Sequence, residues 1–134
     1  MDIFEAIGTR LRAGTAVTAI VGAQVYHGMR PSPSAALSAA GGCINYFEAG
    51  YTPLHNGILE SPRYQISCRA TTPKVAQNLA REVVVLFHNF SGAIGGFSIQ
   101  RTTVEGKTLL PEPDTELYHV PVDVRFVYNE STVS

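Results

Sequence analysis

The closing run of the chain constrains its fold most. Tyr118, Val120, Val122, Val124, Phe126 and Tyr128 alternate there with His119, Pro121, Asp123, Arg125 and Val127. A period of two sends successive side chains to opposite faces, so this segment predicts a half-buried β-strand. Pro121 has no N–H to give to a ladder, which points to an edge position or a bulge. Arg63 to Thr71 repeats the signature, with Tyr64, Ile66, Cys68 and Ala70 on one face and Arg63, Gln65, Ser67 and Arg69 on the other.

Between these two runs the period changes. Thr72 is a natural N-cap and Pro73 suits a first helical position, where its missing N–H costs nothing. Val75, Leu79, Val83, Leu86, Phe87 and Phe90 then form an apolar stripe, with Lys74, Gln77, Asn78, Arg81 and Glu82 toward solvent, and Gly92 ends the helix. The β-branched run Val83-Val84-Val85 weakens intrinsic helicity, so packing on a sheet must hold that turn.

The N-terminal part predicts two short helices. Asp2 and Glu5 make a capping box, Ile3, Phe4, Ile7 and Leu11 share a face, and Gly14 closes the first helix. Thr15 caps the second, which carries Val17, Ile20 and Val21 and stops at Gly22. Val25-Tyr26, Cys43 to Glu48 and Phe97 to Val104 read as further strands. The expected order is α-α-β-β-β-α-β-β. It describes an α+β domain whose mostly antiparallel sheet of four to five strands is covered on one face by a long helix.

Residues 1–134 form a single domain on this reading, with a short flexible tail at 130–134. Two connections exceed a tight turn. Residues 27–42 (HGMRPSPSAALSAAGG) lack the large apolar residues of a core element, and residues 49–62 are a polar link. Apolar content of 45% with 16% charged residues reads as globular rather than disordered. Ten basic and eleven acidic residues are scattered along the chain, without the clustered Lys and Arg that grip nucleic acid. The start, MDIFEAIGTR, has neither the pattern of a signal peptide nor that of a membrane span, which implies folding in a reducing cytoplasm. Cys43 and Cys68 are then expected as reduced core thiols.

A search for chemistry returns none. His27, His55, His88 and His119 are each more than four residues from another His or a Cys, so no zinc-ligand spacing exists and all four read as surface or rim histidines. There is no G-x-S-x-G elbow, and neither cysteine has a neighbour that would activate it. Gly92 to Gly96 follows a helix and precedes a strand, the reverse of a phosphate loop. Glu112, Asp114 and Glu116 sit in a Pro-rich turn without a calcium-loop frame and read as a solvated acidic turn. No catalytic residue, cofactor or metal site is expected, and the chain reads as a non-enzyme.

Several segments together resemble the tail-completion, or tail-terminator, family of long-tailed (siphovirus-type) phages. These are AVTAIVGAQVYHG (16–28) with Arg30-Pro31-Ser32-Pro33 after it, RYQISCRATT (63–72) running into KVAQNLAREVVVLF (74–87), and ELYHVPVDVRFVY (116–128). They span about residues 4 to 129, and the chain departs in its longer Ala/Ser/Gly stretch between Pro33 and Gly42. The resemblance implies a virion protein of the tail or neck, assembled in the host cytoplasm. It implies a homo-hexameric ring that stops tail-tube polymerisation and joins the tail to the head connector.

The partners implied are the tail tube protein, the connector or head-closure protein, and genomic DNA that passes through without specific binding. Six spheres, each about 36 Å across for a domain of this size, leave an opening wider than duplex DNA. A ring interface is head-to-tail, and the long segments 27–42 and 49–62 are the expected contact arms, with Tyr26, Met29, Arg30, Tyr51 and Leu54 in or beside them. Two other readings stand beside it. One is a different neck or minor tail protein, such as a head-closure or adaptor subunit. The other is a small ligand-binding α+β module, which predicts convergent polar residues that the sequence does not display.

Overall fold

The computed structural model describes residues 3–28, 41–51, 59–94, 97–112 and 117–129. The elements in chain order are α1 (Ile3–Ala13), α2 (Thr15–Val21), β1 (Val25–His27), β2 (Gly42–Tyr51), β3 (Leu59–Glu60), β4 (Pro62–Ala70), α3 (Pro73–Phe87), β5 (Gly92–Ile94), β6 (Phe97–Lys107), β7 (Leu110–Glu112) and β8 (Leu117–Asn129). The α+β class is as expected. The sheet is larger, with eight strands among the described residues and a main path β1-β2-β4-β8-β6-β5. It is mixed, because β1 lies parallel to β2 while the other pairs are antiparallel.

The strand readings around Tyr64 and Val124 are borne out. Tyr64, Ile66, Cys68 and Ala70 are buried, as are Val120, Val122, Val124 and Phe126. The edge position for Pro121 is overturned, since β8 lies in the middle of the sheet between β4 and β6. Proline is accommodated by a break in the strand beside it. β6 pairs as far as Lys107↔Val122 and β7 resumes at Leu110↔His119, which leaves Thr108 and Leu109, outside any strand, across from Pro121. The absent N–H therefore interrupts no continuous ladder on that side.

Thr72 caps α3 as expected, its hydroxyl accepting from Val75 N at 3.2 Å with Pro73 in the first turn. The helix ends at Phe87, not near Gly92, so Phe90 is no part of its stripe. Asn89 adopts φ 55, a left-handed turn that asparagine tolerates, and its N–H donates to Thr102 O at 3.1 Å. Gly92 opens β5 instead of closing the helix. At the start of α2 the N-cap is Gly14, with no side-chain cap, and Thr15 is already helical. Gly22 ends α2 as expected, with φ 59 and its N–H on Thr18 O at 2.8 Å. The expected cap residue Asp2 lies outside the described residues.

The main core lies between the helices and one face of the sheet. Ile7 and Leu11 from α1, Val17 and Val21 from α2, and Leu79, Val83 and Phe87 from α3 meet Ile44, Ile66, Val122, Val124 and Phe126. Three helices, not the long one alone, therefore cover this face. Each such side chain contributes roughly 1.5–3 kcal/mol on burial. Phe126 anchors the centre, edge-on to Tyr64 at 5.9 Å and to Phe87 at 5.5 Å. Val83 is fully buried whereas Val85 is 71% exposed, so sheet packing holds this β-branched turn through one side only.

Candidate functional site and assembly surfaces

The two long connections are shorter than the sequence suggested. His27 belongs to β1, Ala49 to Tyr51 extend β2, and Leu59 and Glu60 form β3 against β8. Of the expected contact residues, Tyr26 is on β1, half-buried, opposite Asn45 and donating its hydroxyl to Gln24 Oε1. Tyr51 ends β2 opposite Pro62. Met29, Arg30 and Leu54 lie outside the described residues, as do His55, residues 113–116 of the acidic turn and the tail 130–134.

The β1 side is locked to α1 by a stack of rings. His27 lies flat on Phe4, centroids 4.2 Å apart and planes at 5°, with Tyr46 beyond it at 5.3 Å. Tyr46 donates its hydroxyl to Phe4 O at 2.9 Å, and Arg12 donates to Val25 O at 3.1 Å. Burial raises the Tyr46 pKa, and the nearby Arg12 charge opposes that shift. The close approach needs a glycine: a Cβ on Gly8 would come within 2.4 Å of the Tyr46 hydroxyl.

At the opposite side of the sheet Arg10 closes the C-terminus of α3. Its Nε and Nη2 donate to Leu86 O at 3.0 and 2.7 Å, and its guanidinium lies 3.6 Å from the Phe90 ring centroid. Desolvation lowers its pKa. The carbonyls left open at a helix end favour a cation there. Thr102 of β6 completes the turn, its hydroxyl donating to Phe87 O and accepting from Phe90 N at 3.0 Å. Neither residue was legible as a cap, because both come from elements distant in sequence.

The face of the sheet away from the helices is polar. Register places Arg63 and Arg69 of β4, Arg125 of β8 and Arg101 of β6 on it, with Glu105 and Asp123 as the acids. Arg125 donates to Glu105 at 3.0 Å and to Ser61 O at 3.1 Å. Arg69 donates to Asn45 Oδ1. Arg63 stands directly opposite Arg125 and reaches Ala49 O at 3.4 Å. The scattered basic residues are thus gathered by strand pairing, which a linear charge count does not see. His119 lies on this face, as alternation indicated, but it is only 8% exposed and is no rim histidine.

Among the described residues there is no group of three or more His, Cys, Asp and Glu side chains within reach of one ion. Cys43 and Cys68 form no disulfide and are fully buried, on opposite faces of adjacent strands. Burial, and then Cys43, raise the Cys68 pKa, so the thiol stays protonated and unreactive. No described helix is long and apolar enough to cross a membrane.

Comparison with known proteins agrees with this architecture. A chain of the solved structure titled "Virion of native gene transfer agent (GTA) particle" superposes with a TM-score of 0.66 at 15% identity, covering 90% of this chain and 89% of that one. That likeness shows a shared fold. No curated protein matches in sequence. The family described as Tail completion protein gp17 matches residues 5–129, nearly the whole chain. The chain belongs to the gp17 tail completion protein family and is a structural component of a virion tail.

Proposed function

We propose that this chain is the tail terminator: a ring at the head-proximal end of the tail tube that stops tube growth and joins the tail to the head connector. The observation that carries this reading is the family match over residues 5–129. Arg12, Thr102 and Tyr46 tie helices to the sheet, and Arg10 ties α1 to the end of α3, so these polar side chains serve the fold. The protein acts without catalysis. Its partners are further copies of itself, most simply six, together with the tail tube protein, the connector and the DNA passing through.

Tyr26, Met29, Arg30, Tyr51 and Leu54 belong to the contact surface in this account, on the arms 27–42 and 49–62. Deleting residues 32–40 should reduce the oligomer mass, and an unchanged hexamer would remove that arm from the interface. The terminator role is tested by adding the purified chain to polymerising tail tube subunits. Tubes should stop growing at capped tips. Tubes that keep elongating at saturating concentrations of the chain would reject the role in favour of another neck or minor tail position.

A further inference from the structure

Among the described residues, two stretches of strand on opposite edges of the sheet have no strand beside them on their outer side. On the outer side of β2, β1 pairs only with Ile44, Asn45 and Tyr46, and Gly28 N takes Tyr46 O at 2.9 Å. Among the described residues no strand accompanies Phe47 to Gly50 on that side. On the outer side of β6, β5 pairs with Phe97 to Ile99. Both backbone groups of Thr102 are taken by Asn89 and Phe90, at 3.1 and 2.9 Å. Thr103 to Gly106 follow with no described strand beside them.

These two windows lie on the same rungs. Phe47 pairs with Gln65, Gln65 with Asp123, and Asp123 with Gly106. Glu48, Tyr64, Val124 and Val104 form the next rung, and Gly50, Arg63, Arg125 and Thr103 the one after. Three antiparallel steps separate β2 from β6, so the two windows also run in opposite directions. A second copy in the same orientation would bring its β2 window alongside the β6 window of the first as an antiparallel partner. Little sliding along the strands is needed, and a head-to-tail contact made by rotation alone can close.

We infer that copies of this chain join edge to edge, Phe47–Gly50 of one against Thr103–Gly106 of the next. This rests on the ring reading above and adds the surface that makes it. Both windows carry a register shift, between Glu48 and Gly50 and between Val104 and Gly106, and both carry an exposed acid, Glu48 and Glu105. Bulges and charges are how proteins keep open edges from pairing indiscriminately. Free copies are therefore restrained, and pairing follows when another contact, such as the tube tip, sets copies side by side.

The test is a cysteine pair in the full chain. Gly106 tolerates a side chain, since a Cβ there meets nothing within 4 Å, and the native Cys43 and Cys68 are fully buried. Phe47→Cys with Gly106→Cys, and independently Glu48→Cys with Val104→Cys on the other face, are oxidised after assembly on tail tubes and run without reductant. Each double variant should give a ladder rising one chain at a time to a closed ring, which the single variants do not give. Dimers from the single variants would indicate a symmetric contact and overturn the inference. So would a ring of normal mass that neither pair crosslinks, which would leave the terminator reading standing. If no ring forms at the tube tip even with the unmodified chain, the terminator reading fails, and this inference with it.

Discussion

Replacing Arg10 with alanine should loosen the junction between α1 and the end of α3. The side chain gives two N–H groups to one carbonyl, Leu86 O, and stacks 3.6 Å from the Phe90 centroid. A hydrogen bond from a charged group is worth about 1.5–3 kcal/mol, and cation–π contact at a part-exposed site about 0.5–1 kcal/mol. Arg10 is only half-buried, so water can recover part of the carbonyl, and the lower ends apply. The expected loss is about 2 kcal/mol. With a urea slope of roughly 2 kcal/mol/M, the midpoint should fall by about 1 M at unchanged slope. Circular dichroism during urea unfolding measures it. Arg10→Lys keeps the charge but lacks the planar fork, and should lose about half as much. A midpoint within about 0.2 M of the parent for the alanine variant would refute the capping role.

Gly8→Ala should destabilise by about 1–3 kcal/mol despite alanine's better helix propensity, because its methyl meets the Tyr46 hydroxyl. Tyr46→Phe in the same chain should recover much of that loss, and additive losses in a double-mutant cycle would reject the clash. Cys68 supplies a pH test. Its folded pKa is raised, so the stability it contributes is full below the unfolded thiol pKa and declines above about pH 8.5, by at most about 1.4 kcal/mol per pH unit. Cys68→Ala should flatten the profile between about pH 8.5 and 10, below the range where Tyr46 adds its own slope. An unchanged slope would contradict the assignment.

What was legible in the chain was what periodicity encodes. The alternation around Tyr64 and Val124 fixed strands and buried faces, and Thr72-Pro73 fixed a helix start, because these signals are local. What escaped is set by partners distant in sequence. The end of α3 depends on Thr102 and Arg10 as much as on its own residues, so the stripe appeared to continue to Phe90. Pro121 looked like an edge or bulge residue because a single strand cannot reveal that its neighbour breaks at Thr108 and Leu109. Strands β3, β5 and β7 have two or three residues each, too few to show a period. The parallel pairing of β1 with β2 is a matter of strand direction, which residue alternation does not encode. The windows on β2 and β6 that no described strand accompanies likewise exist only as differences in length between paired strands.

The role of the chain is tested most directly by electron microscopy of lysates in which this protein alone is missing. The terminator account predicts overlong tails without heads, returned to a single length and to head joining when the chain is supplied. Tails of normal length in its absence would contradict the account.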